Sequence, residues 1–352
     1  MPLQDKCPLR ASILAQPERG LDADMKLRTM LAAAAITFGI GTAALAQDTH
    51  TVQVGQQASG TFSWITHAIR YYGLDMKYDL NLVEDVYASK PASQLALQAG
   101  EVDVIVDDFI GAVNMREAGG PVRAIWPFSK ATGGIVVPAD SEIQTVADLQ
   151  GHTIAAAALN DKSMLILRAY LTSNYGFDPQ DDGMVMQAAA PLMQGLLDEG
   201  EIDAAIPYWH FVARMEGSGE FRDIQLVSDL LAEMGFRDDL PILVVLGRDG
   251  ADPAALTAFL AAMQEAIEMM KMDSNEGIWQ SILDNELYSL PDESLFPAVR
   301  ARWEAGIPEE WNQEMIDDLV ALVDQLVEVA GADVVGVENL DASAYTTEYN
   351  PE

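Results

Sequence analysis

The chain has 352 residues, 49% of them hydrophobic, and its 55 acidic against 20 basic residues give a formal net charge of −35 at pH 7. A surface this negative repels phosphate backbones and anionic headgroups, which excludes nucleic acids and membrane surfaces as partners. A solubility adaptation, for instance to a salty habitat, accounts for the charge without a charge-specific partner.

From Met25 the chain reads MKLRTMLAAAAITFGIGTAALAQDT, with Lys26 and Arg28 ahead of an apolar core and Ala44-Leu45-Ala46 as a small-x-small cleavage signal. About 15 apolar residues fall short of the roughly 20 that span a bilayer, so the segment reads as a signal peptide cut after Ala46 and not as an anchor. Residues 1–24 carry Asp5, Glu18, Asp22 and Asp24, a poor start for an export signal, and translation is expected to begin at Met25. Cys7, the only cysteine, leaves with this leader, so the exported chain has no disulfides and depends on apolar burial. Gln47 follows the cleavage site, which offers no cysteine for a lipid. The expected location is the periplasm, free of the membrane. The 306 remaining residues suit two domains and carry 51 acidic against 15 basic residues.

HTVQVGQQ is a short β-branched alternation, and TFSWITHAIRYYGL is apolar at helical spacing and closed by Gly73. YDLNLVEDV reads as a strand, and PASQLALQAG as a helix opening on Pro91 and ending at Gly100. VDVIVDD is an apolar run of the kind buried on both faces of a parallel sheet. Strands alternating with helices in this way predict parallel βαβ units. After PVRAIWPFSKATGGIVVPAD the series repeats in outline: HTIAAAA, a helix over SMLILRAYLTSNYG, a strand near GMVMQA, a helix over APLMQGLLDEG, then IDAAIPYW, RDIQLVSD and LPILVVLGRD as strands. Gly100, Glu101 and Asp103 match Gly200, Glu201 and Asp203: in each half a helix ends on the glycine and the acidic pair turns the chain into a buried strand, with solvated carboxylates. Beyond Asp249 only helices are predicted, and Met263 and Met270, one heptad apart, read as core packing and not as a soft-metal site.

Motifs for catalysis are missing: there is no Walker loop, G-x-S-x-G elbow, H-E-x-x-H or G-x-G-x-x-G after a strand. His50, His67, His152 and His210 lack ligand spacing, so neither a metal nor a cofactor is expected. Asp107 and Asp108 are neighbours on a strand and point to opposite faces, although at its carboxyl end one of them can reach a crevice. Ligands of open α/β sheets sit outside the carboxyl ends of the strands, where helix N-termini present unpaired N–H groups. The segments at those positions hold Gln57, Ser59, Trp64, Ser89, Lys90, Asp107, Asp108, Thr132, Gly133, Asn160, Lys162, Ser163, Tyr208 and Trp209. Aromatic walls with a few convergent polar groups describe a small-molecule cleft. Trp64 and Trp209 are alternatively plugs of an interface between lobes.

GEVDVIVDDF, GGPVRAIWPFSKATGGIVVPADSEIQTVADLQGHTIA and GEIDAAIPYWHFVARM resemble the periplasmic solute-binding proteins of ABC importers, in the nitrate, sulfonate, taurine and thiamine-precursor group. The resemblance runs in order from about Val52 to Gly250, and DSEIQTVADLQGHTIA carries it most specifically. It implies the type II periplasmic binding fold, two doubly wound α/β lobes around a ligand cleft with a C-terminal helical segment. The implied division is 47–135 for the first lobe, 136–242 for the second and 243–352 for the return and C-terminal helices, with crossings near Ile135–Val137 and Ile242–Val245. It further implies a monomer without catalysis that closes on a sulfonate, a nitrate-like anion or an aminopyrimidine and delivers it to a permease and ATPase encoded elsewhere. Where relatives have a small Gly-Ser-Thr run, this chain has Asn160-Asp161-Lys162-Ser163, and an Asn160 or Asp161 N-cap would occupy a donor otherwise offered to an anion. Lys90, Lys130 and Lys162 could hold an anion, and Asp107, Asp108 and Asp161 an ammonium or aminopyrimidine. A ligand sensor for a membrane kinase and a pyrimidine-forming enzyme on the same fold are the alternative readings.

Overall fold

A computed structural model describes residues 49–351, apart from Ser59 and Asn275. The expected leader with its expected cleavage after Ala46, and Cys7, lie outside the described residues. Among the described residues no helix is long and apolar enough to cross a membrane.

The chain opens with β1 (His50–Gln57), α1 (Phe62–Tyr71), α2 (Leu74–Lys77), β2 (Leu80–Tyr87), α3 (Lys90–Ala99), β3 (Val104–Asp108), α4 (Gly111–Glu117) and β4 (Val122–Lys130). It continues with β5 (Gly134–Pro138), β6 (Ile154–Ala156), α5 (Lys162–Tyr175), β7 (Val185–Gln187), α6 (Ala190–Asp198), β8 (Ala204–Ile206), α7 (Trp209–Ser218), β9 (Phe221–Leu226) and α8 (Val227–Glu233). Then follow β10 (Pro241–Arg248), α9 (Pro253–Met272), α10 (Gly277–Asp284), α11 (Phe296–Ala305), α12 (Gln313–Ala330) and α13 (Ala332–Val335).

Two five-stranded sheets result, in the orders β2-β1-β3-β10-β4 and β7-β6-β8-β5-β9. In the first, β1 runs parallel to β2 and β3, and β10 is antiparallel to β3 and β4. The second repeats this plan: β6 runs parallel to β7 and β8, and β5 is antiparallel to β8 and β9. In both, the antiparallel strand is the one that enters from the other half. The apolar runs Ile135–Val137 and Ile242–Val245 therefore lie inside β5 and β10, where Ile135–Val137, Val244 and Val245 are buried and Ile242 and Leu243 half-buried, and the chain passes from one sheet to the other just before them.

The matched turns carry the same hydrogen bonds. Gly100 and Gly200 have φ of 77° and 68°, the left-handed conformation that ends a helix at little cost for glycine. Asp103 then accepts the backbone N–H of Gln53 at 3.0 Å, and Asp203 that of Thr153 at 2.7 Å. Each aspartate thus ties the start of one parallel strand to its neighbour, a role the solvated-turn expectation missed. Glu101 and Glu201 are exposed and the Asp203 side chain is 45% exposed, whereas that of Asp103 is 15% exposed.

Helices α1 and α9 to α11 bury their apolar faces against the first sheet, around Trp64, Phe259, Met263, Met270 and Trp279. Helix α12 lies along α5, and its Leu319, Leu322 and Leu326 join a cluster that includes Leu165 and Leu167. Met263 and Met270 are fully buried, whereas Met272 at the helix end is exposed. Two shorter readings differ from expectation: IDAAIPYW is strand only over Ala204–Ile206 and RDIQLVSD turns helical at Val227.

Candidate ligand-binding site

The carboxyl end of β3 and the starts of α3 and α5 meet in a charged cluster. The Lys90 Nζ lies 2.5 Å from Asp107 Oδ1 and 2.5 Å from Asp108 Oδ2, while Lys162 Nζ, carried by the second half of the fold, stands 3.9 Å from Asp108. Asp107 and Asp108, neighbours at the carboxyl end of the strand, thus both reach one lysine. The strand ends at Asp108, whose Oδ1 accepts the Ile110 N–H at 3.0 Å and so folds back over the turn, and the long lysine bridges the strand edge. Asp107 is buried and further held by Gln94 Nε2 at 2.6 Å and by the N–H of Asp108 at 2.6 Å. Gly111 leaves room for it: a Cβ there would stand 2.7 Å from the Asp107 carboxylate.

Electrostatics follow from this packing. Burial raises the Asp107 carboxyl even with Lys90 beside it. Burial acts the same way on Asp108, but Lys90 and then Lys162 outweigh it and hold the group below the usual carboxylate range. Lys90 is itself raised, because Asp108 and Asp107 overcome its desolvation. Asp161 is the N-cap of α5, accepting the N–H groups of Ser163 and Met164 at 3.0 and 3.4 Å, and burial raises it.

The structure also brings together Gly133 and Ser163, whose Oγ is 3.1 Å from where a Gly133 Cβ would be, and Trp64 with Trp209, whose ring centroids are 6.3 Å apart. Thr132 offers its carbonyl to Arg302 at 3.0 Å. Tyr208 precedes α7, exposed and stacked on His210. Ser89 and Asn160 are exposed, and Gln57 ends β1 beside Tyr87. Ser59 lies outside the described residues. Trp64 is fully buried, with Tyr288, Trp279 and Phe296 at centroid distances of 5.2, 6.2 and 6.2 Å, so it presents no surface to a solute in this conformation. Lys130, the third rim lysine, acts on Asp239.

Residues outside the sequence-based set complete the site. Arg302 on α11 pairs with Glu216 on α7 and, at 3.3 Å, with Asp223 on β9, pinning a helix that packs on the first sheet to two elements of the second. No motif marks it, although two arginines, Arg300 and Arg302, in one helix of a chain with so few basic residues are a signal. His210 is enclosed beside Tyr288, 3.3 Å from its hydroxyl.

Burial, aided by Arg214, holds the His210 imidazole down at about 4, and burial lifts Asp223 to about 6 against the pull of Arg302. Folded His210 binds fewer protons than unfolded, so its contribution is lost as pH falls from about 6.5 through about 4. Folded Asp223 binds more, so its contribution is lost as pH rises from about 3.8 through about 6. The two slopes oppose each other over one window. His210→Gln is expected to gain stability on acidification through that window, and Asp223→Asn to lose it, as read from urea unfolding at a series of pH values.

The space around Trp209, Thr61, Phe128, Ser129, Thr132, Trp303 and Ile307 amounts to about 10 Å³, room for one water at most. Side chains fill the space beside Trp209. A larger groove of about 650 Å³, lined among others by Arg116, Glu117 and Asp249, lies at the turn from α4 to β4. It sits at the opposite edge of the first sheet from the carboxyl ends of the parallel strands, so the charged cluster at those ends, and not this groove, is the candidate site. Among the described residues no group of three or more His, Cys, Asp or Glu side chains could hold a metal ion.

Residues 76–276, which run from α2 past α9 and include the whole charged cluster, match the model of the family described as NMT1/THI5 like. The chain belongs to that family. Solved structures share the fold of this NMT1/THI5-like protein. The alkanesulfonate-binding protein SsuA from Xanthomonas axonopodis pv. citri, bound to MOPS, matches with a TM-score of 0.63 at 18% identity, covering 84% of this chain and 98% of its own. The periplasmic aliphatic sulphonate-binding protein SsuA from Escherichia coli gives 0.62 at 18% identity over 84% and 91%. The periplasmic nitrate-binding protein NrtA from Synechocystis PCC 6803 gives 0.61 at 14% identity over 86% and 87%. These likenesses make the fold the type II periplasmic binding architecture. No curated protein sequence matches the chain.

Proposed function

We propose that this protein is a periplasmic solute receptor that captures a small polar organic molecule between its two lobes and delivers it to a membrane permease powered by a separate ATPase. The observation that carries the reading is the contact from Lys162, at the start of α5, to Asp108, at the end of β3. It joins the carboxyl edges of the two sheets, where open α/β folds bind ligands. Three solved neighbours whose names state sulfonate or nitrate binding support it by fold. The lobes divide near residues 135 and 242, and opening at the two crossings admits the solute. Contacts from both lobes exist only in the closed state, so binding shifts that population.

Native mass spectrometry of the freshly purified protein tests the reading: a small molecule should be retained, unchanged, at one per chain. Trp209→Ala should weaken its binding at least tenfold, about 1.4 kcal/mol, with the circular dichroism spectrum preserved. Titration calorimetry against the solute identified by mass checks this, and an unchanged affinity removes Trp209 from the site.

A further inference from the structure

We infer that the cleft selects a solute carrying a compact organic cation, an ammonium group, and that Lys90 is an internal counter-ion which this cation displaces from Asp107 and Asp108; the inference rests on the receptor reading above. The backbone donors that would hold an anion at these turns are already taken by carboxylates. Asp107 accepts the N–H of Asp108, Asp108 that of Ile110, and Asp161 those of Ser163 and Met164. Lys90 and Lys162, the two lysines nearest the crevice, are likewise directed at Asp107 and Asp108. Asp107, Asp108 and Asp161 outnumber them, so the cluster carries three carboxyls against two ammonium groups, with Lys90 2.5 Å from both Asp107 and Asp108 and Lys162 3.9 Å from Asp108. An added anion would deepen that imbalance, whereas a cation relieves it.

Mobility is distributed in the same sense. The Asp107 side chain has no exposed surface, while that of Lys90 is 39% exposed. The carboxylates are the fixed half of the pair and the ammonium is the half that can swing into water. The second lobe adds Tyr208, an exposed ring within electrostatic reach of Lys90 and Asp161, whose face suits the alkyl groups around a cationic nitrogen.

The test compares alkylammonium ions with alkanesulfonates of matched carbon skeleton by thermal shift at equal concentration, on the wild type and on Lys90→Met and Asp108→Asn. The ammonium series is expected to raise Tm and the sulfonates to leave it unchanged. Lys90→Met should bind the best ammonium at least tenfold more tightly, since no internal cation remains to be displaced, and Asp108→Asn should lose the response. Sulfonates that raise Tm in the wild type and fail to do so in Lys90→Met would overturn the inference and leave the receptor reading standing. If neither series shifts Tm and mass spectrometry finds no retained solute, the receptor reading itself falls. Should Lys90→Met not fold, the wild-type comparison of the two series still decides.

Discussion

Trp64→Ala is expected to lower the free energy of unfolding by about 3–5 kcal/mol, the range for removing a large aromatic side chain from a packed core. The ring is fully buried among Trp279, Tyr288, Phe296 and Trp209, and its Nε1 donates to the Leu287 carbonyl at 3.3 Å. Alanine would leave a cavity that four aromatic neighbours from three separate stretches of chain cannot collapse to fill. It would also orphan the Leu287 carbonyl and remove the edge on which Trp209 rests. Urea unfolding followed by circular dichroism should show a lower midpoint with an unchanged m-value. A loss below about 1 kcal/mol would mean that the site relaxes and that the cluster is not a rigid wall of the cleft.

Asp178→Ala should cost a similar amount, about 3–5 kcal/mol, for a different reason. Arg168 on α5 is buried and makes a forked contact with Asp178, its Nε 2.9 Å from Oδ1 and a terminal nitrogen 2.7 Å from Oδ2. The side chains are only 4% and 9% exposed, so little water is available to replace the lost partner. Asp178 also accepts the N–H of Gln180 at 2.9 Å and so shapes the loop that leads to β7. Replacing both residues together, Arg168→Met with Asp178→Ala, should recover most of the loss, since the penalty comes from the uncompensated guanidinium. The same unfolding assay on the three variants separates the pair from the loop contact, and a double variant no better than Asp178→Ala would place the cost in the loop.

The alternation of strands and helices was legible because buried parallel strands are short, continuous apolar runs bounded by glycine and acidic turns, as VDVIVDD and IDAAIPYW are. Strand β7 and helix α8 were harder, the first because three partly exposed residues carry little pattern, the second because RDIQLVSD alternates like a strand up to the point where Val227 starts a helix. The strand-end rule reached Lys90, Asp107, Asp108 and Lys162. It missed Gln94 and Arg302, which come from a helix interior and from the C-terminal helices, positions that only folding brings to the crevice. Strand alternation sets Asp107 and Asp108 on opposite faces, but it says nothing about a lysine long enough to reach both at the strand's end. Trp64 illustrates the reverse: its position at the cleft was legible, but whether its face points to solute or to core depends on Trp279 and Phe296, more than two hundred residues away.

Strand β4 pairs, within its sheet, only with β10, whose residues 241–248 come after the entire second sheet. A chain that emerges N-terminus first therefore holds β4 as an unmatched ribbon, and β3 with one open edge, until more than a hundred further residues have appeared. Completion of the first half waits on the second, at the cost of displaying apolar strand edges to any neighbour the chain meets on the way.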